Sequence, residues 1–261
     1  ADRPELVCMF YLVFLVIAGI GAALFMDNLD HQTSSAKAMV DCLKYRDTWI
    51  IGILYVGTFG SFIGFGFAFA QVLNLSFTSA GAAKPALAAA QIAWIGPLLG
   101  SLSRPYGGKL ADRIGGGKVT LYTFIGMTFG AAILVFAATA ADNNGKVIET
   151  GHLVGLVIGF IVLFILSGLA NGSVYKIIPT IWEEKAQAST DMSPTQKVVW
   201  SRSMSGALIG IAGAVGGLGG VGINLVLRAS YKSNQSAAAA FWIFMAFYVV
   251  AAVITWWFYV R

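Results

Sequence analysis

Charge is what this chain has least of. Only 11% of its 261 residues are Asp, Glu, Lys or Arg, while 57% are hydrophobic. A water-soluble domain carries about 25% charged residues, so too little charge is present to cover a hydrated surface, and soluble enzymes are set aside first. The net charge of +5 could suit a polyanion, but nucleic-acid recognition needs a clustered basic face, and these basic residues are scattered between apolar blocks. Nucleic acid is therefore not an expected partner. Cysteine and histidine number two each. Cys8 in an apolar run and Cys42 in a polar connection make neither a disulfide framework nor a metal set, and no metal or cofactor is expected. Carboxylates are missing from the apolar blocks altogether: all twelve acidic residues fall in connections or at block edges, and so do His31 and His152. Proton-driven transporters usually hold such a group inside the bilayer, and this stretch offers none.

What is present is length and hydrophobicity. Apolar blocks at 6–26, 49–70, 92–111, 119–140, 153–175, 203–227 and 240–259 each match the roughly 17–25 residues that span a hydrocarbon layer as helix. None alternates as a barrel strand would, so the fold class is an all-α integral membrane protein with seven transmembrane helices. Aromatics at both ends of the last block suit the interfacial belts. If the connections 27–48, 112–118 and 176–202 lie on one side with Arg261 and with Lys109 at the adjoining end of the 92–111 block, that side holds eleven of the seventeen basic residues and the other holds five, with Arg104 inside a span. The excess marks the cytoplasmic side, which puts the N-terminus outside, the C-terminus in the cytoplasm and the protein in the cell's inner (plasma) membrane. The chain opens on Ala-Asp-Arg-Pro with no signal peptide before its first span. The expectation is a chain that begins partway through a larger protein, with a processed N-terminus as the alternative.

Arg104, near the middle of the 92–111 block, is the one full charge deep inside a span, since Lys109 lies at that block's end. A lone arginine at mid-bilayer costs at least about 2.5–3.5 kcal/mol on insertion scales. It either snorkels to the interface or marks a functional site. With no acid in any span to pair with it, a bound anion is the natural counter-charge, and the rigid guanidinium fork suits a planar oxyanion. Pro97 and Pro105 flank this region. Each removes a backbone hydrogen bond, giving either a simple kink or a hinge beside the charge.

Three further features accompany it. In 206–222, GALIGIAGAVGGLGGVG, residues Gly206, Gly210, Gly213, Gly217 and Gly220 follow a 4-3-4-3 spacing on one helical face, with Gly216 beside them. Such a face either packs helices closely or lines a smooth path. In LYVGTFGSFIGFGF, Tyr55 and Phe59 share a face that Phe62 extends. They either face lipid or sit against a flat anion, with the Tyr55 hydroxyl as donor. Asn171 and Ser173, in SGLANGSVYKIIP, either hydrogen-bond between helices or line the pathway.

GGKLADRIGGGKV (107–119) resembles the cytoplasmic loop motif of the major facilitator superfamily, with Gly108, Asp112, Arg113 and Gly115 at its marked positions. Together with TWIIGILYVGTFGSFIGF (48–65), Arg104 just before Gly107-Gly108, NGSVYKIIP (171–179) and AGAVGG (212–217), the chain resembles the nitrate/nitrite porter family along nearly its whole length. The resemblance implies that the seven spans correspond to helices six to twelve of a twelve-helix fold. Residues 1–48 would be the last helix of the N-terminal half with the inter-half linker, and 49–261 the C-terminal six-helix bundle. It also implies nitrate and nitrite as partners beside the bilayer and the remaining N-terminal helices. Arg104 would be one of two anion-clamping arginines, Tyr55 and Phe59 substrate-contacting aromatics, Ser173 a polar site position, and the Gly206–Gly220 helix a glycine-rich nitrate motif. The family pattern departs at Pro105-Tyr106 and after Gly217.

Exchange of nitrate for nitrite by alternating access is the expected function, and no enzymatic activity is expected. A nitrate/proton symporter, or a facilitator-type porter for another small solute, remains the alternative. A seven-helix retinal protein is excluded because its Schiff-base lysine has no counterpart in 240–259.

Overall fold

The computed structural model describes residues 5–26, 36–145 and 149–261. Asp2, Arg3, Asp27, Asp30, His31 and Lys146, which entered the sequence reading, lie outside the described residues. Among the described residues the protein is all helix, with seven segments long and apolar enough to cross a membrane. It is a multi-pass membrane protein.

Two compact units emerge, residues 1–34 and 35–261. The first holds α1 (Glu5–Phe25), 21 residues with a mean hydropathy of 2.6 and no proline inside. The second opens with α2 (Ala36–Cys42), which packs on α9. The bundle unit thus starts before residue 49, because Cys42 is fully buried in a core cluster with Trp182 and Leu208.

The next span is continuous over 34 residues but irregular: α3 (Arg46–Tyr55), a π-helical turn (Val56–Gly60) and α4 (Ser61–Ser79). Then come α5 (Pro85–Ala93), α6 (Ile95–Ile114), α7 (Gly116–Asn143), α8 (Thr150–Ala188), α9 (Pro194–Asn234) and α10 (Ala238–Thr255), the last running into a second π turn, Trp256–Val260. Helix ends carry their expected signals. Ser193 and Gln196 form a reciprocal capping box with Pro194 in the first turn of α9, satisfying donors the helix start leaves open. Gly115, at φ 93, is the whole break between α6 and α7, a conformation that side chains with a Cβ disfavour.

The helices are longer than the apolar blocks that announced them. Most of 176–202, read as a connection, is the end of α8 and the start of α9, and most of 71–91 is likewise helical. Hydropathy registers only the part of a helix inside hydrocarbon, and these helices project beyond it. The proline expectation also shifts. The break in the 85–114 span falls at Trp94, between α5 and α6 and ahead of Pro97, while Pro105 lies inside an unbroken α6. Pro97 cannot donate to the carbonyl four residues back, so regular helix restarts just before it; no break sits beside Arg104.

Packing runs through α8, which contacts α6, α7 and α9. On one side of the bundle Phe65, Phe69, Phe160, Phe164 and Phe241 form an edge-to-face and tilted cluster, with ring centroids 4.9 Å apart for Phe69–Phe160 and 5.5 Å for Phe65–Phe160. Such pairs add to area burial. Toward the other end, Tyr45, Trp182 and Trp200 pack edge to face, and Lys185 pairs with Asp47 at 3.0 Å.

Candidate anion site

Arg104 is held by a tight crossing of α6 and α8. The contacts are made by backbone, because glycines leave room for them. A Cβ on Gly100 would meet the Phe164 carbonyl, and one on Gly107 the Leu169 carbonyl. From the other side, one on Gly168 would meet the Gly100 carbonyl and one on Gly172 the Arg104 carbonyl itself. Ser103 adds a hydrogen bond across the same crossing, its hydroxyl donating to the Ile165 carbonyl at 2.9 Å. Gly100, Ser103, Gly168 and Gly172 are residues the sequence reading passed over. Their signal was the four-residue spacing of small residues in Gly168–Gly172, repeated in Ser103–Gly107, which marks close helix approach in membranes.

The guanidinium so placed is half-buried, and its Nε is buried with no hydrogen-bond partner. None of the ion pairs among the described residues includes it. Its neighbours are rings: it stands 4.1 Å from the centroid of Phe62 and 5.8 Å from that of Phe59. Tyr55 lies next to Phe59, centroids 5.3 Å apart, and meets the ring of Tyr175 edge-on. Ring faces attract the cation but give its N–H donors no acceptor, so the fork keeps its capacity for an oxyanion.

The π turn sits under this cluster. It begins directly after Tyr55 and contains Phe59. Its wider coil opens the helix where Gly57 and Gly60 pack closely, Gly57 against Phe124 and Gly60 against Gly216 and Gly219. Such turns in α-helices are frequent at functional sites.

The sequence-named residues divide between this site and other places. Arg104, Tyr55, Phe59 and Phe62 are brought together. Asn171 adjoins Gly172 on α8, fully buried, with both amide atoms unpartnered. Ser173 turns away: its hydroxyl bonds the Thr120 hydroxyl at 2.7 Å and donates to the Ala170 carbonyl at 2.9 Å. These bonds fit the helix-bridging alternative, since Thr120 lies on α7. The glycine face of α9 also splits. A Cβ at Gly206, Gly213 or Gly217 meets nothing within 4 Å, and Gly210 only grazes Met39, whereas Gly216, Gly219 and Gly220 press on Tyr55, Val56 and Ile63. The packed strip is therefore rotated by about a quarter-turn from the 4-3-4-3 face, following the helical 100° step. In the loop motif, Asp112 pairs with Lys176 of α8 at 2.9 Å, Gly108 lies near Gly172 and Lys176, and Arg113 is exposed in the last turn of α6.

No family model matches the chain. Individual proteins do. It is 28% identical over 257 residues to the nitrate/nitrite transporter NarU of Escherichia coli, an alignment covering 96% of this chain and 52% of that protein. The probable nitrate/nitrite antiporter NarK2 of Thermus thermophilus is 25% identical over 96% of this chain and 50% of its own length. The nitrite extrusion protein of Bacillus subtilis is 26% identical over 95% and 54%. Its relatives are nitrate/nitrite porters. The resemblance carried by the loop motif and the aromatic run is thereby borne out, and these porters are transporters, not enzymes. The chain spans about half the length of the porters it matches.

Proposed function

We propose that this chain supplies one half of a membrane carrier that exchanges nitrate for nitrite, with Arg104 taking the anion. The observation that carries the reading is the buried, unpartnered Nε of Arg104, with aromatic rings beside it and no ion pair to it among the described residues. A guanidinium offers two parallel N–H bonds that match two oxygens of a planar oxyanion. Phe59 and Tyr55 supply flat faces for the delocalised ion, and the Tyr55 hydroxyl supplies a further donor. Asn171 belongs to the same reading through its unsatisfied amide.

Coupling follows from the charge balance. An unneutralised guanidinium in a low-dielectric site costs on the order of several kcal/mol. Reorientation of the empty carrier is then disfavoured, and only the anion-loaded form crosses by rocking around a midplane site. This favours antiport over proton symport, for which no apolar block of the sequence offers a carboxylate or imidazole. The basic excess of the connections supports a plasma-membrane orientation with α1 starting outside and Arg261 in the cytoplasm. The glycine face at Gly206, Gly210, Gly213 and Gly217 remains free for the rest of the carrier or for the transport path.

Proteoliposomes of the intact protein, loaded with nitrite and given external nitrate, test this. Exchange predicts uptake that depends on internal anion. Equal uptake by anion-free vesicles driven by a pH gradient would establish symport instead, and uptake of neither anion would reject the site.

A further inference from the structure

Tyr175, inside NGSVYKIIP but given no role there, stands at the edge of the cluster around Arg104. It lies on α8 one turn beyond Gly172, whose α-carbon abuts the Arg104 carbonyl, and its ring meets that of Tyr55 edge-on with centroids 5.8 Å apart. The two phenols differ in access. Tyr55 is 2% exposed, wedged against Gly216, whereas Tyr175 is 43% exposed. The pair adjoins Phe59, whose ring Arg104 faces: the Tyr55 and Phe59 centroids are 5.3 Å apart.

Nitrate and nitrite differ at one corner. Both are planar and both offer two oxygens to a guanidinium fork. Nitrate then presents a third oxygen, where nitrite has only a nitrogen lone pair, a poorer hydrogen-bond acceptor. A donor placed at that corner distinguishes the two anions; the fork alone does not.

We infer that Tyr175 is a specificity residue: with Tyr55 it forms a pair of phenols that donates to the third oxygen of nitrate and so favours nitrate over nitrite at Arg104. Buried Tyr55 holds the pair in place and the accessible Tyr175 hydroxyl completes it. Sites that hydrogen-bond one substrate atom discriminate strongly against an analogue lacking it, because the donor is then left without a partner. This inference rests on the anion-site reading above and adds the preference to it.

The test is anion binding by the purified intact protein, titrated calorimetrically with sodium nitrate and with sodium nitrite, for wild type and Tyr175→Phe. The substitution keeps the ring and removes only the hydroxyl. Nitrate affinity should fall by about tenfold, the scale of one hydrogen bond to an ion, while nitrite affinity changes less than about twofold. An equal loss for both anions, or no loss for either, overturns the assignment and leaves Tyr175 a packing residue while wild-type binding still supports the site. Wild-type protein that binds neither anion overturns the site and this inference together. Tyr175→Ala serves as the control for ring packing: it should reproduce the altered nitrate-to-nitrite ratio of the Phe variant, and a ratio restored to wild type would likewise overturn the role of the hydroxyl.

Discussion

The α-carbon of Gly172 rests against the carbonyl oxygen of Arg104, with no room for a methyl group between them. The charged side chain is thus positioned by a helix crossing rather than by a polar partner, and α8 sets its depth and direction. Overpacking such a contact costs about 1–3 kcal/mol. Gly172→Ala should lower thermal stability in detergent and weaken nitrate binding together, read by thermal unfolding and by titration. Unchanged binding in a folded Gly172→Ala protein would show that Arg104 does not depend on the crossing.

Arg104→Lys keeps the charge and loses the planar fork. Nitrate binding should fall by about tenfold or more, since a bidentate pair becomes a single point contact. A Lys variant with wild-type affinity would mean that charge alone holds the anion.

The glycines of α9 should sort into two classes by stability. Gly216→Ala and Gly219→Ala press a methyl on Tyr55 and Val56, whereas Gly206→Ala and Gly213→Ala place one in open space. The first pair should lower the melting temperature. The second pair should leave it unchanged or raise it, because alanine favours helix by about 1 kcal/mol over glycine. Transport by the second pair then reports separately whether the open face takes part in movement of the halves.

Ser173→Ala removes a buried bridge to Thr120. It should cost about 1 kcal/mol of stability and leave anion affinity as it was, checked by unfolding and titration. A selective loss of nitrate binding would return Ser173 to the site.

Cys42 offers a pH readout outside the spans. Burial pushes its thiol above the ordinary value, partly opposed by the hydrogen bond with Thr48. The reactive thiolate is therefore scarcer in the folded protein at any given pH. In a Cys8→Ser background, maleimide labelling should be slow near neutrality, rise as pH climbs through the elevated value, and become fast on unfolding. Rapid labelling of the folded protein at neutral pH would mean that α2 does not pack on the bundle.

Much of this was legible in the sequence for a definable reason. Seven spans follow from hydropathy, and the lone Arg104 from the absence of any other charge deep inside a span. Tyr55 and Phe59 were legible as a four-residue pair. What escaped depends on neighbours that are distant in the chain. Gly168 and Gly172 acquire meaning only opposite Gly100 and Arg104, and Tyr175 only opposite Tyr55. Which glycines of α9 pack was not legible, because periodicity groups glycines by angle without saying which angle meets another helix. The partner of Ser173 was not legible because its hydroxyl bonds Thr120, more than fifty residues away in the chain.

The π turn between Tyr55 and Ser61 also sets the phase between the two stretches of helix it joins. Wound as regular α-helix with the same residues, that stretch would swing everything beyond it by roughly a quarter-turn. Gly64 would swing off Ile223, and the phenylalanines of α4 would leave their cluster. The irregular coil is thus the register mark that lets one continuous helix present its rings to the arginine at one level and its glycines to α9 at the next.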